Sequence, residues 1–322
     1  MPQYTIQCIE SLLQFAGNLN CEIIVVDNNS EDNSRRQITS KFPAITYLEM
    51  TENVGFSRAN NAGLNVSKGE YILFLNNDTI FIEDILTKLI AVMNEDKNIT
   101  ASCVQLYYED KTRQLSGSNF VFAGFNMLLT LPYLKEIVSW FAGLFKIKKP
   151  HPEKTIGIEE VDWISGAFMM VRKESIKAAG AFDEDFFLFS EETEWCYRLK
   201  KTGKIVICPE LSIIHIGGKT MQNVLQANED NYFPLWEKKG LQLMLSHLLR
   251  IKKQYGSLLM LIHFHIYLSE ISFFFIGVLI SKIVNKNNRT FSEAVNYSKN
   301  VLRLIKFIPS ILLNKHQLYK AY

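Results

Sequence analysis

Two short apolar runs, each ending abruptly in Asn and Asp, set the strongest limit on how this chain folds. Cys21–Asp27 (CEIIVVD) runs into Asn28-Asn29-Ser30, and Tyr71–Leu75 (YILFL) runs into Asn76-Asn77-Asp78. Runs rich in β-branched and aromatic residues, closed by turn formers, read as strands. Near-continuous apolarity, rather than alternation, reads as burial on both faces, which is the habit of a parallel sheet covered by helices. Around these runs the spacing turns helical over 6–16, 35–40, 58–66 and 83–94, with a short strand at 45–49. The alternation predicts an α/β fold with a mostly parallel open sheet flanked by helices.

Composition supports a large core: 48% of the 322 residues are hydrophobic and 21% are charged, which excludes global disorder. A net charge of +2 leaves no nucleic-acid footprint. That average conceals an asymmetry. From Arg250 to Tyr322 there are 11 Lys/Arg against 2 Asp/Glu, whereas residues 1–249 hold 24 against 31. The five cysteines form no CxxC pair, which argues against a disulfide framework or a zinc site and fits a reducing cytosol. Met1–Glu10 lacks the basic start and apolar run of a secretory signal.

The composition shift divides the chain into a body, 1–240, with an apolar insertion at about 120–150, and a helical, membrane-associating region, 241–322. The insertion (Phe120, Phe122, Phe125, Leu128, Leu131, Trp140, Phe141 and others, followed by Lys146, Lys148 and Lys149) is compatible with a core helix plus loop or with a segment lying on a membrane. Ser257–Ser281 is long enough to span a bilayer, yet it contains His263, His265 and Glu270. A surface-bound helix or hairpin is the expectation there, with one transmembrane segment as the alternative. Basic residues in an apolar tail suit anionic lipid.

Asn76-Asn77-Asp78 stands where a strand ends, and ligands of open α/β sheets bind at the carboxyl ends of strands. Asx residues also favour turns for local reasons. A carboxylate flanked by amide carbonyls suits a hard divalent cation that bridges phosphate oxygens. Asp27 ends the other strand, and the polar loop Asn53–Gly63 brings Arg58, which can pair with an anion or stack on a base. Glu191, Glu192 and Glu194 follow the aromatic run Phe186–Phe189. Crowded, partly buried carboxylates raise one another's pKa, as a general base requires, although acidic residues also favour a helix's first turn. His215 closes the apolar stretch Leu211–Ile214 and reads either as a core histidine or as a ligand. No GxGxxG or P-loop is present, which argues against other nucleotide-binding enzymes on open sheets.

Six segments together resemble the family 2 glycosyltransferases of GT-A fold, closest to rhamnosyltransferase-like members. They are EIIVVDNNS (22–30), NVGFSRANNAG (53–63), LFLNNDT (73–79), DWISGAFMMV (162–171), GAFDEDFFLFSEETEWCYR (180–198) and PELSIIHIGG (209–218). The resemblance implies an inverting hexosyltransferase of bacterial surface polysaccharide synthesis. It would use a nucleotide-diphosphate sugar, a dTDP- or UDP-sugar such as a rhamnosyl donor, and a glycan or lipid-linked acceptor at the cytoplasmic membrane face. It implies that Asp27, Asn29, Arg58, Asn60, Asn77, Gly166 and Glu194 bind nucleotide and substrate. Asp78 and His215, with Asn76, would hold Mg2+ or Mn2+. Glu192, beside Glu191, would be the catalytic base. Asn76 and Glu192 stand where Asp is common in the family. Family members also carry a strand before the segment matching Tyr4–Leu12. That strand is expected to be missing here, with Met1 an internal start, and a non-enzymatic, membrane-bound remnant is the alternative reading.

Overall fold

A computed structural model of the protein describes residues 2–134, 157–217, 234–283 and 289–321. The chain forms two compact units. The first comprises Met1–Asn119, His151–Asp183 and Trp195–Gln226; the second comprises Phe120–Pro150, Glu184–Glu194 and Ala227–Tyr322. Residues 120–134 and the acidic stretch 184–194 fall in the same unit as the C-terminal residues.

The first unit runs α1 (Pro2–Phe15), β1 (Ile24–Asp27), α2 (Ser34–Lys41), β2 (Thr46–Glu49), α3 (Gly55–Val66), β3 (Tyr71–Leu75), β4 (Thr79–Phe81), α4 (Ile85–Glu95), β5 (Ile99–Tyr107) and β6 (Gly117–Ser118). It continues with β7 (Glu159–Val161), β8 (Trp163–Ile164), β9 (Phe168–Arg172), α5 (Lys173–Ala179), α6 (Glu191–Leu199), whose first turn belongs to the second unit, and β10 (Lys204–His215). β1 and β2 pair in parallel as a sheet of their own. The larger sheet has the order β3-β9-β5-β10-β4, with β7 also on β10. β3 and β5 are both antiparallel to the β9 between them, and β5 is parallel to β10. β3, β5 and β10 therefore run one way in a mixed sheet.

Burial corrects one expectation. β1 is only half-buried and β3 alternates, whereas β9 is buried throughout and β5 nearly so. The centre of the sheet lies at β5 and β9, where α4 adds Ile85, Leu86, Leu89 and Met93 to the core. α4 is started by Asp84, which accepts from the Thr87 amide at 3.1 Å. Such a cap contributes about 1 kcal/mol. Phe56, Phe74, Phe182 and Trp195 close one side of the core, with ring centroids 4.2–5.8 Å apart.

The second unit is helical: α7 (Lys238–Tyr255), α8 (Ser257–Ile283), α9 (Phe291–Leu304) and α10 (Ile308–Leu312). Gly256, at φ +92°, separates α7 from α8. Thr290 and Glu293 start α9 with a reciprocal capping box. α8 is one continuous helix, not a hairpin. It turns Met260, His263, Phe264, Tyr267, Glu270, Phe274 and Val278 inward, while Leu258, Ile262, Phe273, Ile276, Leu279, Ile280 and Ile283 are exposed. Among the described residues it is the one helix long and apolar enough to cross a membrane. The apolar stretch from 120 departs from a core α-helix. Phe122–Thr130 forms 3₁₀ turns interrupted by left-handed Ala123 and Gly124, and residues 135–156, including Lys146, Lys148 and Lys149, lie outside the described residues.

Candidate active site

Strand register explains how the ends of the sheet meet. β10 pairs antiparallel with β4, and His215 lies opposite Thr79, next to Asp78. The imidazole Nε2 stands 3.3 Å from Asp78 Oδ1 and 3.2 Å from Asn76 Nδ2. The Asp78 carbonyl accepts from the Ile216 amide at 2.9 Å, which fixes the crossing. The turn that contains Gly166 is brought to the same edge, because β9 pairs with β3 (Leu75 opposite Phe168) and the Ala167 carbonyl accepts from the Asn76 amide at 3.0 Å. Asn77 donates to Thr5 Oγ1 at 3.0 Å and so ties the triplet to α1.

Gln114 was not foreseen from sequence. Its Oε1 lies 2.7 Å from His215 Nδ1, and its Nε2 donates to the His215 carbonyl. This pattern assigns the ring proton to Nδ1 and leaves the Nε2 lone pair facing Asp78 and Asn76. Gln114 is itself held: its amide donates to the Leu106 carbonyl at 2.9 Å, and its carbonyl accepts from Gln105 Nε2 at 3.0 Å. Gly217, at φ +68°, passes close by. A Cβ there would stand 2.7 Å from Tyr108 Cε1 and 3.2 Å from Gln114 Nε2, so a side chain would push on the clamp. One carboxylate and one imidazole lone pair, beside an amide that presents its carbonyl if turned over, fit a divalent ion shared with phosphate oxygens. Among the described residues no third His, Cys, Asp or Glu joins them. The other ligands would have to come from substrate and water.

A second group in this unit gathers around β1. Asp27 accepts from the Ser30 amide and from the Tyr47 hydroxyl, both at 2.8 Å. Burial and the hydrogen bond to Asp27 push the Tyr47 phenol pKa up, so Tyr47 remains a donor. Asn28, also unforeseen, staples two loops: its Nδ2 donates to Asn53 Oδ1 and to the Gly55 carbonyl, and its Oδ1 accepts from the Val54 amide, all within 3.2 Å. The loop after Asp27 is thereby fixed to the start of α3, which carries Arg58, half-buried, in its first turn. Asn29, left-handed at φ 65°, turns its amide to Glu31 at 3.3 Å. The Asn60 amide donates to the Phe56 carbonyl inside its own helix at 2.9 Å. Asn61 reaches across the unit: it donates to the Phe182 carbonyl at 2.9 Å and accepts from the Phe182 amide at 3.1 Å.

The carboxylates open α6 and belong to the second unit. Two consecutive left-handed residues, Phe189 (φ 71°) and Ser190 (φ 64°), precede them. Such a run costs on the order of 1–3 kcal/mol per residue and persists only where surrounding structure enforces it. Here Ser246 donates to the Leu188 carbonyl at 2.7 Å, and Asp185 is held by Lys253 at 2.7 Å and by the Gln317 amide at 3.0 Å. Glu191 and Glu194 are buried and Glu192 is half-buried. Oε2 of both Glu191 and Glu192 is shielded from solvent, with no hydrogen-bond partner among the described residues. Burial raises both pKa values. The Glu192 charge raises Glu191 further, whereas a hydrogen bond from its own backbone amide and, after it, the charge of Arg250 pull Glu192 back down. Of the two, Glu192 is the less buried residue and the one drawn back toward its charged form.

Comparison with known proteins gives consistent results. The family model described as Glycosyl transferase family 2 matches residues 2–177. Rhamnosyltransferase WbbL of Escherichia coli (strain K12) is 29% identical over 220 residues, 64% of this chain and 78% of WbbL. The dTDP-rhamnosyl transferase RfbF of Shigella flexneri is 26% identical over 216 residues, 63% of this chain and 62% of RfbF. Among solved structures, the mannosyltransferase PcManGT from Pyrobaculum calidifontis, in complex with GDP-Man and Mn2+, superposes with a TM-score of 0.51. It covers 98% of this chain and 85% of that one, at 13% identity.

Proposed function

The chain belongs to glycosyl transferase family 2 and has a GT-A fold, and from that premise we propose that it is an inverting hexosyltransferase. The donor is a dTDP- or UDP-sugar, with rhamnose the first candidate, since WbbL and RfbF carry rhamnosyltransferase names. The acceptor is a glycan or lipid-linked oligosaccharide of bacterial surface polysaccharide synthesis. The observation that carries this reading is the convergence of Asp78 and His215 at one sheet edge, with the histidine's tautomer fixed by Gln114.

Asp78 and His215, with Asn76 beside them, would hold a Mg2+ or Mn2+ ion; when bound, such an ion supplies positive charge next to a departing diphosphate. Asp27 and Arg58 line the nucleotide side, the one ending β1 and the other in the first turn of α3, whose start Asn28 holds to the loop after Asp27. Glu192 acts as the base. The acceptor hydroxyl gives its proton to the Glu192 carboxylate while its oxygen bonds to the anomeric carbon. The bond from that carbon to the diphosphate oxygen breaks, and its electron pair leaves with the nucleotide. Attack opposite the leaving group inverts the anomeric centre.

The membrane belongs to the same reading. The exposed apolar face of α8, with exposed Lys282, Arg289, Lys299, Arg303 and Lys306 on the same unit, suits a helix lying on an anionic cytoplasmic leaflet. His263 and Glu270 turn inward, which favours lying over spanning. Flotation with anionic vesicles at low salt tests this, and a protein that stays with the soluble fraction refutes it. The chemistry is tested by a mass-spectrometric transfer assay with a panel of nucleotide sugars, alongside a thermal shift with UDP or dTDP plus Mn2+. Turnover supports the enzyme. Absence of both turnover and nucleotide binding favours a non-enzymatic, membrane-bound scaffold.

A further inference from the structure

Behind the Glu191–Glu192 pair, α7 and α8 of the second unit carry a buried polar chain that the sugar-transfer reading does not use. Arg250, 3% exposed, donates from Nη1 to Gln254 Oε1 at 3.0 Å, and Gln254 Nε2 donates to the Thr193 carbonyl at 3.2 Å. Through Gln254 the guanidinium is thus tethered to the carbonyl of the residue that follows Glu192. On its other side, Arg250 Nη2 lies 3.4 Å from His247 Nδ1, and His247 Nε2 lies 2.8 Å from His263 Nδ1. A guanidinium only donates. His247 Nδ1 must therefore accept, and His247 must carry its proton on Nε2 and pass a hydrogen bond to His263 Nδ1.

Backbone shape makes room for this arrangement. Gly124 is left-handed at φ +74°, and a Cβ there would stand 2.8 Å from Arg250 Nη2 and 2.3 Å from Ile251 Cδ1. Phe125 stacks on His263 at 4.9 Å between centroids. A buried cation is expensive unless something nearby needs it, and neither Gln254 nor His247 is an anion.

We propose that Arg250 is a positioning residue for Glu192: tethered by Gln254 and His247, it holds the backbone beside Glu192 and supplies a buried positive charge to the carboxylate pair. The inference rests on the reading of Glu192 as base. The titratable groups around Arg250 agree with it. His247 and His263 are held neutral by burial and by the positive charge of Arg250, the pKa of His263 falling to about 4. Burial also raises the Tyr267 phenol, which keeps it neutral. Among the carboxylates, Glu192 is the one whose charge acts on Arg250.

The test is the pH profile of kcat for wild type, Arg250→Met, Arg250→Lys and Gln254→Leu, with Glu192→Gln as reference. Removal of the charge should move the acid limb of Arg250→Met up by about one pH unit and lower kcat on that limb by up to roughly tenfold, with donor KM unchanged. Arg250→Lys, which keeps a charge, should recover most of the limb position. Gln254→Leu should show a smaller shift of the same sign. A folded Arg250→Met with an unmoved acid limb, beside an inactive Glu192→Gln, overturns the inference and leaves the base intact. An active Glu192→Gln overturns the base itself. If Arg250→Met does not fold, Arg250→Lys and Gln254→Leu decide, read also by 13C-carboxyl NMR titration of Glu192. A Glu192 titration identical to wild type in both overturns the proposal.

Discussion

Gln114 grips His215 at both ends: one amide group accepts from the ring Nδ1 and donates to the backbone carbonyl of the same residue. A histidine held this way has one tautomer and one ring orientation, and its Nε2 lone pair has one direction. Partners of this kind typically change metal affinity by roughly 10–100-fold when removed. Gln114→Leu should weaken Mn2+-dependent nucleotide binding by that factor in calorimetry while circular dichroism stays unchanged. Gln114→Glu keeps the acceptor for Nδ1 and should fall between. Equal affinities in all three proteins would separate His215 from the metal.

Asp78 supplies the carboxylate of that edge. Asp78→Asn preserves shape and removes the charge, so the fold should survive while the thermal shift produced by nucleotide plus Mn2+ disappears. The readout is the melting temperature with and without ligand. A retained shift would place the ion elsewhere.

General-base assistance is worth roughly 10²–10⁴-fold in rate. Glu192→Gln should lose at least the lower figure in kcat with little change in donor KM, measured by initial-rate transfer. Glu191→Gln should lose much less, because burial and the neighbouring Glu192 charge already push the Glu191 carboxyl well above the usual carboxylate range.

Asn61 satisfies both backbone groups of Phe182. Asn61→Ala leaves a buried amide and a buried carbonyl without that partner and should lower stability by about 2–3 kcal/mol. Urea denaturation followed by Trp fluorescence reports it, because Trp195 packs on Phe182 at 4.2 Å.

Glu270 gives the second unit a pH dependence of unusual sign. Its carboxyl accepts from the Tyr133 and Leu134 amides at 2.8 and 2.9 Å, but burial raises its pKa from 4.5 to about 7. Between those values the folded chain binds more protons than the unfolded chain, so stability falls as pH rises. The loss should begin above about pH 4.5, be complete a little above pH 7, and total on the order of 3 kcal/mol. Denaturation midpoints at pH 5 and pH 8 should therefore differ in wild type and converge in Glu270→Gln.

What could be read from sequence was local. The ends of β1 and β3, the helices after them and the acidic opening of α6 each follow from neighbouring residues. The convergence of Asp78 and His215 depends on β10 pairing with β4, a relationship across more than a hundred residues that no periodicity encodes. Gln114, Asn28 and Arg250 stayed invisible for the same reason: an isolated amide or a helical arginine has no pattern of its own. Apolarity in β1 and β3 does not bring cover on both faces, because the sheet centres on β5 and β9. α8 misled in a different way. Its composition is uniformly apolar, and only packing separates the face that holds His263 and Glu270 from the face that meets solvent.

Among the described strands, β1 pairs only with β2, and β3 only with β9. Each therefore keeps one margin of backbone donors and acceptors outside any described ladder. Such margins template extended segments from other molecules, since a peptide group accepts any sequence that lies flat against it. The practical consequence concerns handling. In concentrated stocks the protein should associate through these margins, by swapped or fibre-like pairing, well before its core unfolds. A lysine introduced on the outer edge of β1 should extend shelf life without altering the melting temperature.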